Sequence, residues 1–327
     1  MNYFLGVDVG NTKSHALIAD ENGRCLGFGL AGCGSWEQID WTGAEVVLKD
    51  IVSQAINQAG IHREQICGAG FGFAGYDWPE DRAGHEQIVQ SLQLTHARCE
   101  LGNDTLVGLM AGATAGWGVV VVAGTGNNCR GWDKNGREGR MTGMSHWFAE
   151  YGGAGEIVRR AVQAVALAWS KRGPQTQLTQ AFISHVGAAD TIDLLAGLVR
   201  DRYYLQAAAA PLVFTVAQQG DKVAQEIIRW AGQELGSLAN GVIRQLNLEA
   251  EAFEIVLSGS LYQGDPLLIE VIADTVHALA PQAQLVKLTA PPVVGGVILA
   301  MKQVGLATAV LRSTLITTAN ALIASQE

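Results

Sequence analysis

Basic runs are missing from this sequence. Its 22 lysines and arginines are outnumbered by 31 aspartates and glutamates, for a formal charge of −9. That balance argues against nucleic acid or an anionic membrane as a partner. A bound anion must be held by local turns, helix N-termini and a metal ion. Proline is scarce, with 7 residues, and only 16% of the chain is charged. No stretch has the composition of a disordered segment. Paired cysteines are also missing: Cys25, Cys33, Cys67, Cys99 and Cys129 form no C-x-x-C spacing, and their number is odd. Free thiols in a reducing cytoplasm are the expectation. No secretory leader is expected, because Asp8 interrupts the first apolar run. The least polar segment, Leu306 to Ala324, carries one charge, Arg312, and is rich in Thr, Ser and Asn. Leu311, Leu315, Ala319 and Leu322 recur at helical spacing there, which predicts a docked helix rather than a membrane span.

What the chain does have is apolar mass, 48% of 327 residues, and 40 glycines. That is ample for two domains with their own cores. The first informative stretch is Phe4 to Asp20. An apolar run reaches Asp8, a polar turn Gly10-Asn11-Thr12-Lys13 follows, and Ala16 to Ala19 is apolar again. This reads as strand, turn, strand. The turn suits a phosphate: Gly10 admits close backbone approach, Asn11 and Thr12 offer donors, successive N–H groups can form an anion nest, and Lys13 adds charge. Asp8, at the strand end, can hold Mg²⁺ through water. Alone, such a stretch is more often an ordinary hairpin with a buried acid.

The stretch is repeated, however. Val119 to Arg137 runs from an apolar strand through Gly124-Thr125-Gly126 to a second strand and Asp133-Lys134-Asn135-Gly136-Arg137. The first copy ends in Asp20-Glu21-Asn22-Gly23-Arg24. The Asn-Gly steps predict type I′ hairpin turns. Two units about a hundred residues apart predict a duplicated fold whose phosphate turns face each other across a nucleotide cleft.

Between the copies, Gly32 to Glu37 forms a Gly-rich loop with Ser35 and Trp36, suited to a ligand rim or a plain surface loop. A helix is predicted over Ala44–Ala59, a strand over Ile66–Phe73, a helix from about Pro79 to Leu92, and a short strand over Ala97–Leu101. Asp104 then opens a helix. It is either an N-cap or a general base for a substrate hydroxyl; Asn103 or Thr105 could cap instead, leaving Asp104 free. Ala113 to Gly118 is small and flexible, a candidate hinge. After the second copy, Met141 to Glu156 is Gly-rich with acids; His146 there fits no metal spacing and is assigned to core or rim. Residues 156–246 read as an all-helical insert, suited to a lid or a homodimer surface, with Asp221 capping its last helix. Strands at Phe253–Leu257 and Ala283–Leu288 flank a helix at Pro266–Leu279, and Val293 opens another. The alternation predicts an α/β fold with parallel sheets flanked by helices in each half.

Five segments in order resemble the N-acetylglucosamine kinases grouped with the BadF/BadG/BcrA/BcrD-type ATPases of the actin, sugar kinase and Hsp70 superfamily. They are GVDVGNTKS, GNDTLVGLMAG, AGTGNNCRGW, LSGSL and PPVVGGVILA. The resemblance implies duplicated ribonuclease-H-like domains, 1–113 plus 303–327 and 114–302, closing over ATP, Mg²⁺ and an amino sugar. It implies Asp8 for Mg²⁺, Asp104 for the base, and Gly10, Thr12 and Thr125 for phosphates; Asn11, Lys13, Gly124 and Gly126 complete the two phosphate turns read from the residues. Gly259, Ser260, Gly295 and Gly296 fall on the adenosine side. Ser35, Trp36, Asn103, Asp104, Thr125, Gly143 and Glu150 fall on the sugar side. Two departures lie there: Ser35 stands where the family has Asn, and Ala149-Glu150-Tyr151-Gly152-Gly153 replaces a Gly-acid-Glu-Gly-Ser stretch. The expected reaction is phosphoryl transfer to N-acetylglucosamine, with Tyr151 forming an apolar wall. The alternatives are glucosamine, N-acetylmuramic acid, or an ATPase that activates a reductase or dehydratase. The last would need a cysteine cluster, which the scattered thiols do not supply.

Overall fold

A computed structural model describes residues 2–144 and 147–326; His146 lies outside them. Strands β1 (Tyr3–Val9), β2 (Ser14–Asp20) and β3 (Cys25–Ala31) form an antiparallel meander. Helix α1 (Trp36–Ala59) leads to β4 (Ile66–Phe73), and α2 (Arg82–Gln90) leads to β5 (Arg98–Asn103). The two later strands run parallel to β1, giving the order β3-β2-β1-β4-β5. After α3 (Asp104–Gly112) the plan repeats with β6 (Gly118–Ala123), β7 (Asn127–Trp132) and β8 (Glu138–Arg140). The helices α4 (Ala154–Trp169), α5 (Leu178–Val186), α6 (Thr191–Val199), α7 (Ala210–Gln218) and α8 (Lys222–Leu246) follow. Then come β9 (Glu254–Ser258), α9 (Pro266–His277) and β10 (Gln284–Lys287), in the order β10-β9-β6-β7-β8. The second sheet therefore has the strand plan of the first. Each is mixed rather than parallel, because tight hairpins join its first three strands and force them antiparallel.

The duplication extends to single hydrogen bonds. In the first copy, Asn22 N and Arg24 N donate to Asp20 Oδ1, at 2.9 Å each. In the second, Asn135 N and Arg137 N donate to Asp133 Oδ1, at 2.8 and 2.9 Å. Only the glycines take positive φ, 78° at Gly23 and 79° at Gly136. A type I′ turn needs positive φ at both central residues. These hairpins have it only at glycine, so the expected turn type is replaced by a one-glycine turn braced by aspartate.

Each sheet carries its own core. Leu5, Val7 and Phe71 pack with Leu48, Ile51 and Val52 of α1. Val119, Val121 and Ile255 pack with α4, α7 and α8 through Ile157, Val213 and Leu235. The helical insert thus forms part of the second core, and Asp221 caps α8 by accepting from Ala224 N at 2.9 Å. The sequence places the return to the first domain at 303; the packing places it earlier. Helix α10 (Val293–Gln303) buries Val293, Val297 and Met301 against Phe4, Leu17 and Ala19. The segment 293–303 therefore belongs with the first sheet. Helix α11 (Thr308–Ala324) docks Leu315 and Ala319 on the same cluster, as its spacing predicts. Among the described residues no single helix is long and apolar enough to cross a membrane.

Candidate active site

The loops at the ends of β1, β3 and β4 are tied together. Gly10 N donates to Lys13 O at 3.0 Å, closing the turn between β1 and β2. Gly34 N donates to Gly10 O at 3.1 Å, and Ala74 N to Val9 O at 2.8 Å. Asn11, Thr12 and Lys13 are exposed at this edge. Asp8 lies opposite Gly72 in the sheet register. A Cβ on Gly72 would sit 3.1 Å from Asp104 Cα, so the missing side chain lets α3 start close to β1.

Burial raises the Asp8 carboxyl to about 8, and repulsion from Asp104 adds to it. Asp104 is raised to about 6 by burial and by Asp77, with Arg130 and the first N–H groups of α3 opposing. The Asp104 carboxylate is free of capping duty. Asn103 Oδ1 accepts from Thr105 N at 3.0 Å and from Thr105 Oγ1 at 2.6 Å. Asn103 Nδ2 donates to Asp77 Oδ1 at 3.1 Å and to Tyr76 O at 3.3 Å. Asn103 is thus a helix cap, and it also lines a cavity of ≈ 850 Å³ with Tyr76, Arg130 and Arg140.

The second turn is built like the first. Gly124 N donates to Gly126 O at 2.9 Å. Ala154 N and Gly155 N, at the start of α4, donate to Gly124 O and Thr125 O at 2.9 and 3.1 Å. Gly153 N donates to Glu156 Oε2 at 2.9 Å, so the first N–H groups of α4 are spent on the turn and on Glu156, and donors for an anion must come from the exposed Thr125-Gly126 turn itself. Gly124, Thr125 and Ser260 line a cavity of ≈ 560 Å³ with Pro211, Phe214 and Gln218. Gly259, at φ +121°, passes beside Ala123 O where a Cβ would clash at 2.2 Å.

The remaining assignments change. Gly295 and Gly296 are buried: a Cβ would meet Val107 O at 1.8 Å from Gly295 and Gly70 O at 2.8 Å from Gly296. They let α10 lie on α3 and on the first sheet, and offer no face to a nucleotide. Ser35 is fully enclosed, and its Oγ has no hydrogen-bond partner. Trp36 donates to Gly75 O at 2.7 Å and stacks on Trp41 at 4.5 Å. Glu150 is 5% exposed and accepts from Thr142 N, Thr142 Oγ1 and Met144 N at 2.8, 2.9 and 3.1 Å. It shapes the loop containing Gly143, whose Cβ position lies 3.0 Å from Asn128 Nδ2. Tyr151 does not form a free apolar wall; its ring lies 6.0 Å from Trp230 of α8.

Asp77 and Arg130 meet beside Asp104, a contact that no motif announces. Arg130 Nη2 meets Asp77 Oδ1 at 2.6 Å and Nη1 meets Glu138 Oε1 at 2.7 Å, with the arginine 2% exposed. The signal was present as Asp77 after a strand-end glycine turn and Arg130 in AGTGNNCRGW, but no spacing links residues so far apart.

Two five-stranded α/β units of one plan, each with a polar turn after its first strand, define the two-lobed actin-like ATPase class. Within that class the chain belongs to the BadF/BadG/BcrA/BcrD ATPase family, whose model matches residues 5–300. It is 26% identical over 310 residues to an N-acetyl-D-glucosamine kinase of Dictyostelium discoideum, covering 91% of this chain and 97% of that one. It is 23% identical over 305 residues to an N-acetylmuramic acid/N-acetylglucosamine kinase of Clostridium acetobutylicum, covering 93% and 99%. Its fold is shared by a solved structure from Chromobacterium violaceum described as a candidate N-acetylglucosamine kinase. The TM-score is 0.66 and the identity 21%, with 91% and 99% of the chains covered.

Proposed function

We propose that this protein transfers the γ-phosphoryl group of ATP to a hydroxyl of an amino sugar, with N-acetylglucosamine preferred. The observation that carries the reading is the Asp104 carboxylate, not needed as the cap of α3, beside Asp8 at the joint strand ends. Asp104 accepts the proton of the attacking hydroxyl, and at about 6 its pKa leaves it ionised at neutral pH. The two polar turns hold phosphate oxygens through backbone and Thr12 and Thr125 donors. The cavity beside Ser260 takes the adenosine. Asp8 has the chemistry to hold Mg²⁺ through water: it is a hard oxygen ligand, and among the described residues no cation pairs with it. When bound, that ion supplies positive charge against the phosphates.

Closure of the lobes about 113–118 would exclude water that could otherwise take the phosphoryl group. The sugar preference rests on the two curated relatives, since Tyr151 faces Trp230. A homodimer and a cytoplasmic setting complete the reading; a monomeric mass by light scattering would remove the dimer.

The test is ADP release from ATP with N-acetylglucosamine, N-acetylmuramic acid, glucosamine and glucose compared by kcat/KM. Sugar-stimulated turnover led by N-acetylglucosamine is expected. Glucosamine ahead by tenfold, about 1.4 kcal/mol, would overturn the preference. Slow hydrolysis that ignores every sugar would instead favour an ATPase that activates a partner enzyme.

A further inference from the structure

The Arg130 guanidinium holds one acid from each lobe. Glu138 is a partner within its own hairpin, at 2.7 Å. Asp77, at 2.6 Å, stands in the other lobe, after β4. Arg140 of β8 adds a second grip on that segment: it donates to Asp77 O and lies 5.2 Å over the Trp78 ring. Asp77 is mostly buried, with its side chain 15% exposed. A buried ion pair seldom justifies itself by stability, since apolar groups of equal volume do as well or better.

This pair has a route to the chemistry. Asp77 Oδ1 also accepts from Asn103 Nδ2 at 3.1 Å. Asn103 Oδ1 caps α3, whose first residue is Asp104. One carboxylate oxygen thus joins the second lobe to the cap that sets the start of the base's helix. We infer that Asp77 is a positioning residue for Asp104, and that its ion pair with Arg130 couples lobe closure to alignment of the base. The inference rests on the reading of Asp104 as base in a closing cleft.

If the lobes part, Arg130 keeps Glu138, so the contact to Asp77 is the one that breaks without orphaning the arginine. Asp77 is then left as an unopposed negative charge beside Asp104 and pulls on Asn103 alone. When the lobes meet, Arg130 neutralises Asp77 and fixes the cap, and the base becomes aligned only around a closed cleft. This arrangement would hold back phosphoryl transfer while water still has access.

The test measures sugar phosphorylation and sugar-independent ATP hydrolysis separately in Asp77→Asn, Arg130→Gln and the double variant. Asp77→Asn keeps an acceptor oxygen but loses the charge. Its expected effect is a kcat for the sugar at least about tenfold lower, with KM for ATP within about threefold and hydrolysis not reduced. Because both residues act through one contact, the double variant should fall within about threefold of the worse single variant. A kcat within threefold of wild type in Asp77→Asn, measured well below its melting temperature, would overturn the inference and leave the pair as scaffold. Full additivity in the double variant would overturn it too. If Arg130→Gln does not fold, the split between kcat and KM in Asp77→Asn decides alone. Asp104→Asn is run alongside: activity retained there sinks the base assignment itself, whereas loss there with Asp77→Asn unaffected sinks only the coupling.

Discussion

Asn103 Oδ1 accepts from Thr105 N at 3.0 Å, so the residue before Asp104 caps α3 and Asp104 does not. Asp104→Asn should therefore leave the helix start intact. It should lower kcat by about two to four orders of magnitude, the usual range for losing a general base, with ATP affinity nearly unchanged. Asn103→Ala should cost about 1 kcal/mol of stability for the lost cap, and should lower kcat less than Asp104→Asn does, because the base is still present but its helix start is no longer fixed. Steady-state kinetics and urea unfolding of the two variants check the division of labour.

The pH dependence follows from Asp104. Its carboxyl is raised to about 6, and a base must be ionised to accept a proton. As pH falls through about 6 the group protonates, and kcat/KM should fall about tenfold per pH unit below that point. A flat profile from pH 7 down to 5 would mean another group takes the proton.

Asp8 gives a stability prediction. Its folded-state carboxyl titrates near 8, against an ordinary value of 3.8. The folded protein then binds the proton more tightly than the unfolded chain. Without ligands, the contribution of Asp8 to stability is fully present below the ordinary value and is lost as pH rises through about 8. Asp8→Asn removes that charge. It should stabilise the ligand-free protein at pH 8 by up to about 5 kcal/mol, the full linkage of a shift of about four pKa units, while abolishing Mg²⁺-dependent turnover. Thermal melts at pH 5 and pH 8 should show the gain mainly at pH 8.

Gly295 tests packing against nucleotide contact. An added Cβ would lie 1.8 Å from Val107 O, and only a backbone shift can relieve that. Gly295→Ala should cost about 1–3 kcal/mol of stability, read from the urea midpoint. The folded fraction should bind ATP with ordinary affinity. A large loss of ATP affinity without loss of stability would restore Gly295 to the nucleotide site.

Much of the fold was legible because it is written twice. The repeated run of apolar strand, polar turn and D-x-N-G-R marks β1–β2 and β6–β7, and short-range signals of that kind survive tertiary context. Asp8, Asp104 and the two turns could be proposed for the same reason: each is a local pattern at a strand end. The sugar side was less legible. Ser35, Asn103 and Glu150 are polar residues beside glycines, which is also how caps and loop anchors look. Whether such a group faces a ligand or its own backbone depends on neighbours far along the chain. Glycine was ambiguous in the same way, since Gly295 and Gly296 admit a helix rather than a nucleotide. The Asp77–Arg130 pair spans 53 positions, and nothing local marks it.

Transfer of the phosphoryl group to a sugar hydroxyl can be followed atom by atom. The direct measurement follows label from γ-³²P ATP in the presence of Mg²⁺ and N-acetylglucosamine, separating sugar phosphate from inorganic phosphate. Label is expected in the sugar fraction at a rate that saturates with sugar, and is expected to be lost in Asp104→Asn. Label appearing only as inorganic phosphate, at a rate indifferent to the sugar, would contradict transfer to the sugar.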